Sequence, residues 1–112
     1  MNNIKKILDE KVSEFNHRIK DEPKFSGVIK GKERSICISV SDGENYISNL
    51  KDMQLDPFVE SEDTNKDLVV TATSDVLVAL INKEMSPIKA YMTGDLKVKA
   101  SLTDMLLLKK LF

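Results

Sequence analysis

Asp67-Leu68-Val69-Val70-Thr71-Ala72-Thr73-Ser74-Asp75-Val76-Leu77-Val78-Ala79-Leu80 contains the change of pattern on which the fold turns. Asp67 to Ala72 has the β-branched, apolar composition of a strand. Ser74 ahead of Asp75 is an N-cap signal, so a helix is expected over Asp75–Glu84. Further on, Ser86-Pro87 marks a second, shorter helix, because proline is tolerated at the first helical position; that helix should end at Gly94. Asp95-Leu96-Lys97-Val98-Lys99-Ala100 then alternates, with Leu96, Val98 and Ala100 turned inward and both lysines in water. Ser101 followed three residues later by Asp104 resembles a capping box and predicts a final helix from Leu102 to Phe112.

Upstream of that stretch, Ile4, Ile7, Leu8, Val12, Phe15 and Ile19 recur at helical spacing. The run stops where Asp21-Glu22 meets Pro23, which disfavours helix in the residue before it. From Phe25 to Gly31 a short extended segment is expected. Ser35-Ile36-Cys37-Ile38-Ser39-Val40-Ser41 alternates, which turns Ile36, Ile38 and Val40 inward and leaves Cys37 facing out with the serines. Asp42-Gly43 supplies turn chemistry for a hairpin, and Asn45 to Leu50 is the return strand. Lys51 to Lys66, with Pro57 in its middle, reads as an excursion holding a short strand around Met53 to Val59. Strands come first and helices later, which argues for an α+β domain with its helices on one face of a largely antiparallel sheet.

A chain of 112 residues suits one domain, expected over 1–112, and leaves no room for a cleft between lobes. Lys+Arg 17 against Asp+Glu 18 gives a net charge of -1, which lacks the basic excess that nucleic-acid backbone binding needs. No nucleic-acid partner is expected. A hydrophobic share of 41% can fill a core, but with 5% aromatic residues and no Trp the filling must be aliphatic and methionine. Cys37 is the lone cysteine, so an intramolecular disulfide is excluded and a reducing, cytoplasmic location is expected. No uncharged run approaches the roughly 20 residues of a membrane-spanning helix.

Catalytic signatures are scarce. His17 is the single histidine and lies opposite the Ile4-Ile7-Leu8 stripe, where a solvated side chain is the expectation; a triad or histidine-rich metal site lacks its parts. Cys37 has no evident activating base. Glu60-Ser61-Glu62-Asp63 lacks the alternate-position ligands of a calcium loop and reads as a solvated acidic turn. The four glycines form no phosphate-binding fingerprint. Neither a metal nor a cofactor is expected. The last quarter does stand out: Leu106-Leu107-Leu108 with Leu111-Phe112 makes the final helix apolar around more of its circumference than one docking face needs. Met85, Met92 and Met105, with Tyr91, lie on or beside the helices over the same sheet face. Three readings fit this pattern: an ordinary core, an apolar ligand pocket, and a homodimer interface.

The stretch from Lys66 to Leu80, then Met85-Ser86-Pro87, then Ala90-Tyr91-Met92-Thr93-Gly94-Asp95-Leu96-Lys97-Val98, resembles the sterol carrier protein 2 (sterol-binding) domain. In that family an Asp-led strand runs into a helix, a Pro-started short helix carries an Ala-aromatic pair, and Gly precedes a Leu-Lys-Ile/Val strand. The match runs without a gap from Lys66 to the end, more loosely through the hairpin at Gly43, and in position only for the first helix. It implies an α+β fold in which a five-stranded, mostly antiparallel sheet, with helices packed on one face, encloses an apolar tunnel. Family members bind fatty acids, fatty acyl-CoA, phospholipids or sterols without covalent chemistry. The implied function is therefore non-catalytic binding, and intracellular transfer, of a long-chain lipid or acyl ligand with transient membrane contact. The alternative is a ligand-free interaction module that dimerises through the C-terminal helix, so monomer and homodimer both stay open.

On this resemblance the sheet wall of the tunnel is Ile36, Ile38, Val40, Leu68 and Val70. Leu77, Leu80, Ile81 and Met85 line one side, Tyr91 and Met92 stand near the mouth, and Leu102, Met105, Leu106 and Phe112 make a lid. The chain departs from the family pattern at Lys83-Glu84 and at Ala100-Ser101, where relatives usually carry Gly. It ends in Lys109-Lys110-Leu111-Phe112, in place of the peroxisomal Ser-Lys-Leu address of some relatives.

Overall fold

The structure is a computed structural model and describes residues 4–23, 31, 33–101 and 104. The elements, in chain order, are α1 (Ile4–Asp21), β1 (Arg34–Val40), β2 (Asn45–Lys51), β3 (Gln54–Leu55), β4 (Val59–Glu60), β5 (Leu68–Ala72), α2 (Ser74–Ile81), α3 (Pro87–Thr93) and β6 (Lys97–Lys99). The expected extended segment at 25–30 and the helix body from 105 to 112 lie outside the described residues.

The strands form one sheet in the order β3-β2-β1-β5-β6, with β4 also paired to β2. Among the described residues six strands therefore occupy five positions. The reason is local: β3 pairs through Leu50↔Leu55 and Lys51↔Gln54, whereas β4 pairs through Tyr46↔Glu60 and Ile47↔Val59. The register slips by one residue between them, and Pro57, which has no N–H to give the ladder, sits in the gap. Asp56 N donates to Asn49 O at 2.9 Å, and the Ser48 hydroxyl donates to Asp56 O, so the break is hydrogen-bonded rather than loose. The expected strand around Met53 to Val59 is thus two short pieces of one broken edge.

Four of the five strand pairings are antiparallel, and the exception is central: β1 and β5 run parallel, from Ile36↔Leu68 to Val40↔Ala72. The offset of this ladder extends past both ends as side-chain clamps. Ser35 N and Oγ both donate to one Asp67 carboxylate oxygen, at 3.0 and 3.1 Å, and Asp67 N donates to Ser35 Oγ at 2.9 Å. At the other end Ser74 N and Oγ donate to the two Asp42 oxygens, each at 2.8 Å. A parallel pair in which each strand end is tied by an aspartate and a serine keeps its register without a connecting turn.

Core-facing residues form rows across the sheet, Tyr46-Ile38-Val70-Val98 and Ser48-Ile36-Leu68. One cluster joins their apolar members to the α1 stripe of Ile4, Leu8, Val12, Phe15 and Ile19 and to Leu77, Leu80 and Ala90, so the helices share one sheet face as expected. Asn16 fixes the angle of α1: its side-chain amide donates to Leu55 O at 3.0 Å and its oxygen accepts from Leu55 N at 2.8 Å, as a neighbouring strand would.

The other face corrects one reading. Cys37 does point away from Ile36 and Ile38, beside Ile47 and Val69, but it is fully buried rather than exposed. β4 and β5 run in the same direction on opposite sides of β1, so residues 61–67 must cross between them. Asp63 and Lys66 on that crossing are the charges felt by the Cys37 thiol. Burial pushes the thiol's pKa up, which disfavours the thiolate.

Candidate functional site

α2 is held against the sheet by its own first turn and by Asp42. The N-cap is Thr73, whose hydroxyl accepts from Val76 N at 3.3 Å; the expected cap, Ser74, is one residue too late because its N–H and hydroxyl are committed to Asp42. The helix ends at Ile81, three residues short of Glu84. Glu84 N bonds Ala79 O at 2.8 Å and Lys83 N bonds Leu80 O at 3.2 Å, the paired bonds of a Schellman ending, with Lys83 at φ +61. Lys83 stands where the resemblance led one to expect Gly, and it adopts the left-handed backbone that Gly would. The second departure has no such effect, because Ala100 and Ser101 carry no positive φ.

α3 behaves as its caps foretold. Ser86 accepts from Lys89 N at 3.4 Å, Pro87 occupies the first turn, and Gly94 closes the helix at φ +85. Ala90 is buried, and its carbonyl accepts from Leu96 N at 3.0 Å, which ties the helix to the approach to β6.

The candidate tunnel residues divide into groups. Ile36, Ile38, Val40, Leu68 and Val70 lie together on the core face of the sheet, and Leu77 and Leu80 of α2 face them; Ile36, Leu68 and Val70 are 0% exposed. These seven form a closed apolar wall and roof. Ile81 and Met85 are half-buried at the end of α2, and Met85 packs against the cluster. Tyr91 and Met92 do not join them: at 50% and 79% exposed they are on the side of α3 opposite Ala90. Leu102, Met105, Leu106 and Phe112 lie outside the described residues. Partly buried Val76, Val78, Val98 and Ala100 also pack against the cluster. Alternation in β6 had already turned Val98 and Ala100 inward, which was the available signal for them.

Polar groups are few at this face. Ser48 is buried and donates to Asp56 O; Tyr46 is buried, and burial raises its phenol pKa, with Glu60 and Glu44 adding to the effect. Asp104 accepts from Arg34 Nε at 2.8 Å while its own N–H donates to Ser101 Oγ at 3.1 Å. The serine half of the expected capping box is therefore present, and the acidic side chain is spent on β1. Among the described residues no group of three or more His, Cys, Asp or Glu is placed to hold a metal ion. His17 is exposed, with Asp21 Oδ2 at 3.3 Å from its Nε2. The open grooves along α1 at His17 and beside Arg34 and Asp67 are lined chiefly by polar and charged side chains, outside the apolar wall. No described helix is long and apolar enough to cross a membrane.

The α+β class, with a single sheet roofed on one face by helices, is the one the resemblance implied. The chain belongs to the SCP-2 sterol transfer family, whose model matches residues 12–112. Among solved structures, the sterol carrier protein domain 2 of Helicoverpa armigera superposes with a TM-score of 0.69 at 19% identity, covering 97% of this chain and 82% of that one. The Aedes aegypti sterol carrier protein 2, solved with the C16 fatty acid palmitate, has a TM-score of 0.62 at 20% identity over 91% of this chain and 90% of that one. The inverting sec-alkylsulfatase Pisa1 from Pseudomonas sp. matches with a TM-score of 0.61 at 14% identity. This chain spans only 13% of that polypeptide, so there the fold is one part of a larger protein. No curated protein sequence matches the chain significantly.

Proposed function

We propose that the protein binds a long-chain acyl lipid between the core face of its sheet and its helices and carries it without covalent chemistry. The observation that carries this reading is the apolar wall of Ile36, Ile38, Val40, Leu68 and Val70 facing Leu77 and Leu80 of α2, in a chain of the SCP-2 sterol transfer family. A fatty acid is the favoured ligand class, since the Aedes aegypti relative is described with palmitate. Each methylene moved from water into such a site contributes about 0.8 kcal/mol, so roughly a dozen support micromolar binding after the ordering costs. No directed polar contact is needed, and broad ligand choice follows.

The wall residues are closed to water as they stand, so ligand entry requires the α2 side of the roof to give way. Ile81 and Met85, half-buried at its end, are the proposed point of entry. Methionine repacks at low cost, which suits a gate. Leu102, Met105, Leu106 and Phe112 complete the proposed lid, and the cytoplasm is the proposed compartment.

The test is native mass spectrometry of the purified protein followed by solvent extraction, with uptake of a fluorescent C16 fatty acid measured alongside. Stoichiometric lipid, or saturable uptake weakened by Leu77→Asn, is the expected result. A protein that is empty, refuses the probe and sediments only as a dimer would overturn the carrier reading in favour of an interaction module.

A further inference from the structure

α3 displays an apolar face that does not belong to the core cluster of the described residues. At 100° per residue, Ile88, Tyr91 and Met92 fall on one side of this helix, at positions i, i+3 and i+4, and Ala90 on the opposite side. Ala90 is buried, whereas Ile88 is 68% exposed, Tyr91 50% and Met92 79%. Three of the four large hydrophobic side chains standing in water among the described residues are therefore on seven residues of helix, the fourth being Val59 on the far edge of the sheet.

This face is also rigidly presented. Ser86 and Pro87 fix the start of α3, left-handed Gly94 fixes its end, and the Leu96-Ala90 bond seats it on the core. Lys89 is the only charged residue on the helix and lies at the flank of the apolar stripe, and exposed Lys83 ends the preceding helix. Two aliphatic or thioether side chains, a tyrosine with its polar tip, and a lysine long enough to reach past them make the composition of a segment lying at a lipid-water boundary.

The patch is too small for a second copy of the chain. A stable dimer needs about 800 Å² from each partner, whereas three side chains on a two-turn helix supply a fraction of that. Shallow insertion into a bilayer has no such threshold, because each side chain adds its own transfer free energy.

We infer that the Ile88-Tyr91-Met92 face of α3 is the surface through which the protein touches a lipid bilayer. The inference rests on the carrier reading for its purpose, since a carrier must meet the membrane that supplies or receives its ligand. It makes α3 a contact point next to Met85, so that docking occurs beside the proposed point of entry.

The experiment uses the whole chain and vesicles of phosphatidylcholine with one-fifth phosphatidylserine. Because the protein has no tryptophan, Ile88→Trp introduces a single reporter at an exposed site. Its emission should shift to the blue on adding vesicles and be quenched by phosphatidylcholine brominated in its acyl chains, and its vesicle affinity should exceed wild type several-fold. Ile88→Asp should bind vesicles at least tenfold more weakly than wild type, with an unchanged circular dichroism spectrum. Opposite effects from two variants at one position cannot both come from misfolding. Unchanged Ile88→Trp emission, or wild-type vesicle affinity in Ile88→Asp, overturns the inference. So does a blue shift that grows with protein concentration in the absence of lipid, which would assign the face to a second copy. Wild-type protein that takes up fluorescent fatty acid yet ignores vesicles would sink the docking face while leaving the carrier reading in place.

Discussion

Lys83 occupies the left-handed region at φ +61 to complete the Schellman ending of α2. A Cβ in that conformation costs roughly 1–2 kcal/mol, and glycine avoids the cost at the expense of some entropy in the unfolded chain. Lys83 is exposed and makes no described side-chain bond. Lys83→Gly should therefore stabilise the protein by about 0.5–1 kcal/mol, read as a higher urea midpoint at unchanged slope, whereas Lys83→Ala should change little. The two aspartates that clamp the β1–β5 pair act through hydrogen bonds from Ser74 and Ser35, and these donors hold both carboxyls below the usual carboxylate range. A lowered folded pKa means that the stabilisation is fully present above the unfolded value near pH 4 and is lost as pH falls through it toward the folded value. Thermal melts between pH 7 and pH 3 should show the wild type losing more stability than Asp42→Asn or Asp67→Asn; parallel curves would show that the clamps contribute nothing. The residue types of both clamps are visible in the sequence, but their partnership is not, because each joins positions 32 apart.

Among the elements, α1 is the most legible. Its buried stripe has the expected members save Ile7, which is half-buried, and it ends two residues before Pro23. Its docking was hidden, because it depends on Asn16, a residue that periodicity counts as surface, satisfying both backbone groups of Leu55. Asn16→Ala leaves two partly buried backbone groups without their partner and should cost about 1–3 kcal/mol. Asn16→Asp keeps the acceptor for Leu55 N but sets a carboxylate against Leu55 O, so it should be at least as damaging near neutral pH. A melting temperature equal to wild type in both variants would mean that α1 docks by its apolar stripe alone. The β2–β3 hairpin was hidden for another reason. Asp52 and Met53 both have positive φ, 53° and 60°, which is the signature of a tight two-residue turn, yet the pair lacks the Asn-Gly or Asp-Gly sequence by which such turns are recognised.

At the scale of the whole molecule, Arg34 and Asp104 tie the first strand to the start of the last described segment, 70 positions away. The Asp104 side chain is 7% exposed and that of Arg34 is 34%, so the pair is sheltered on one side and screened on the other. Arg34→Ala would leave a buried carboxylate without its cation and should cost about 1–2 kcal/mol, less than a wholly buried pair. Arg34→Lys should restore part of the loss, and equal urea midpoints for all three proteins would show the tie to be idle. This contact also marks where local reading stops. By itself the sequence determined what neighbours along the chain determine: the helical stripe of α1, the caps of α3, the alternation of β1 and β6, and family membership through the motif from Lys66 to Val98. Only the tertiary structure decided that β1 and β5 pair in parallel, that Cys37 is buried on the face predicted to be open, and that Tyr91 and Met92 look outward from the core. Periodicity assigns a side chain to one face of its own element, but which strand lies alongside and what crosses the far face are set by the path of the chain through space.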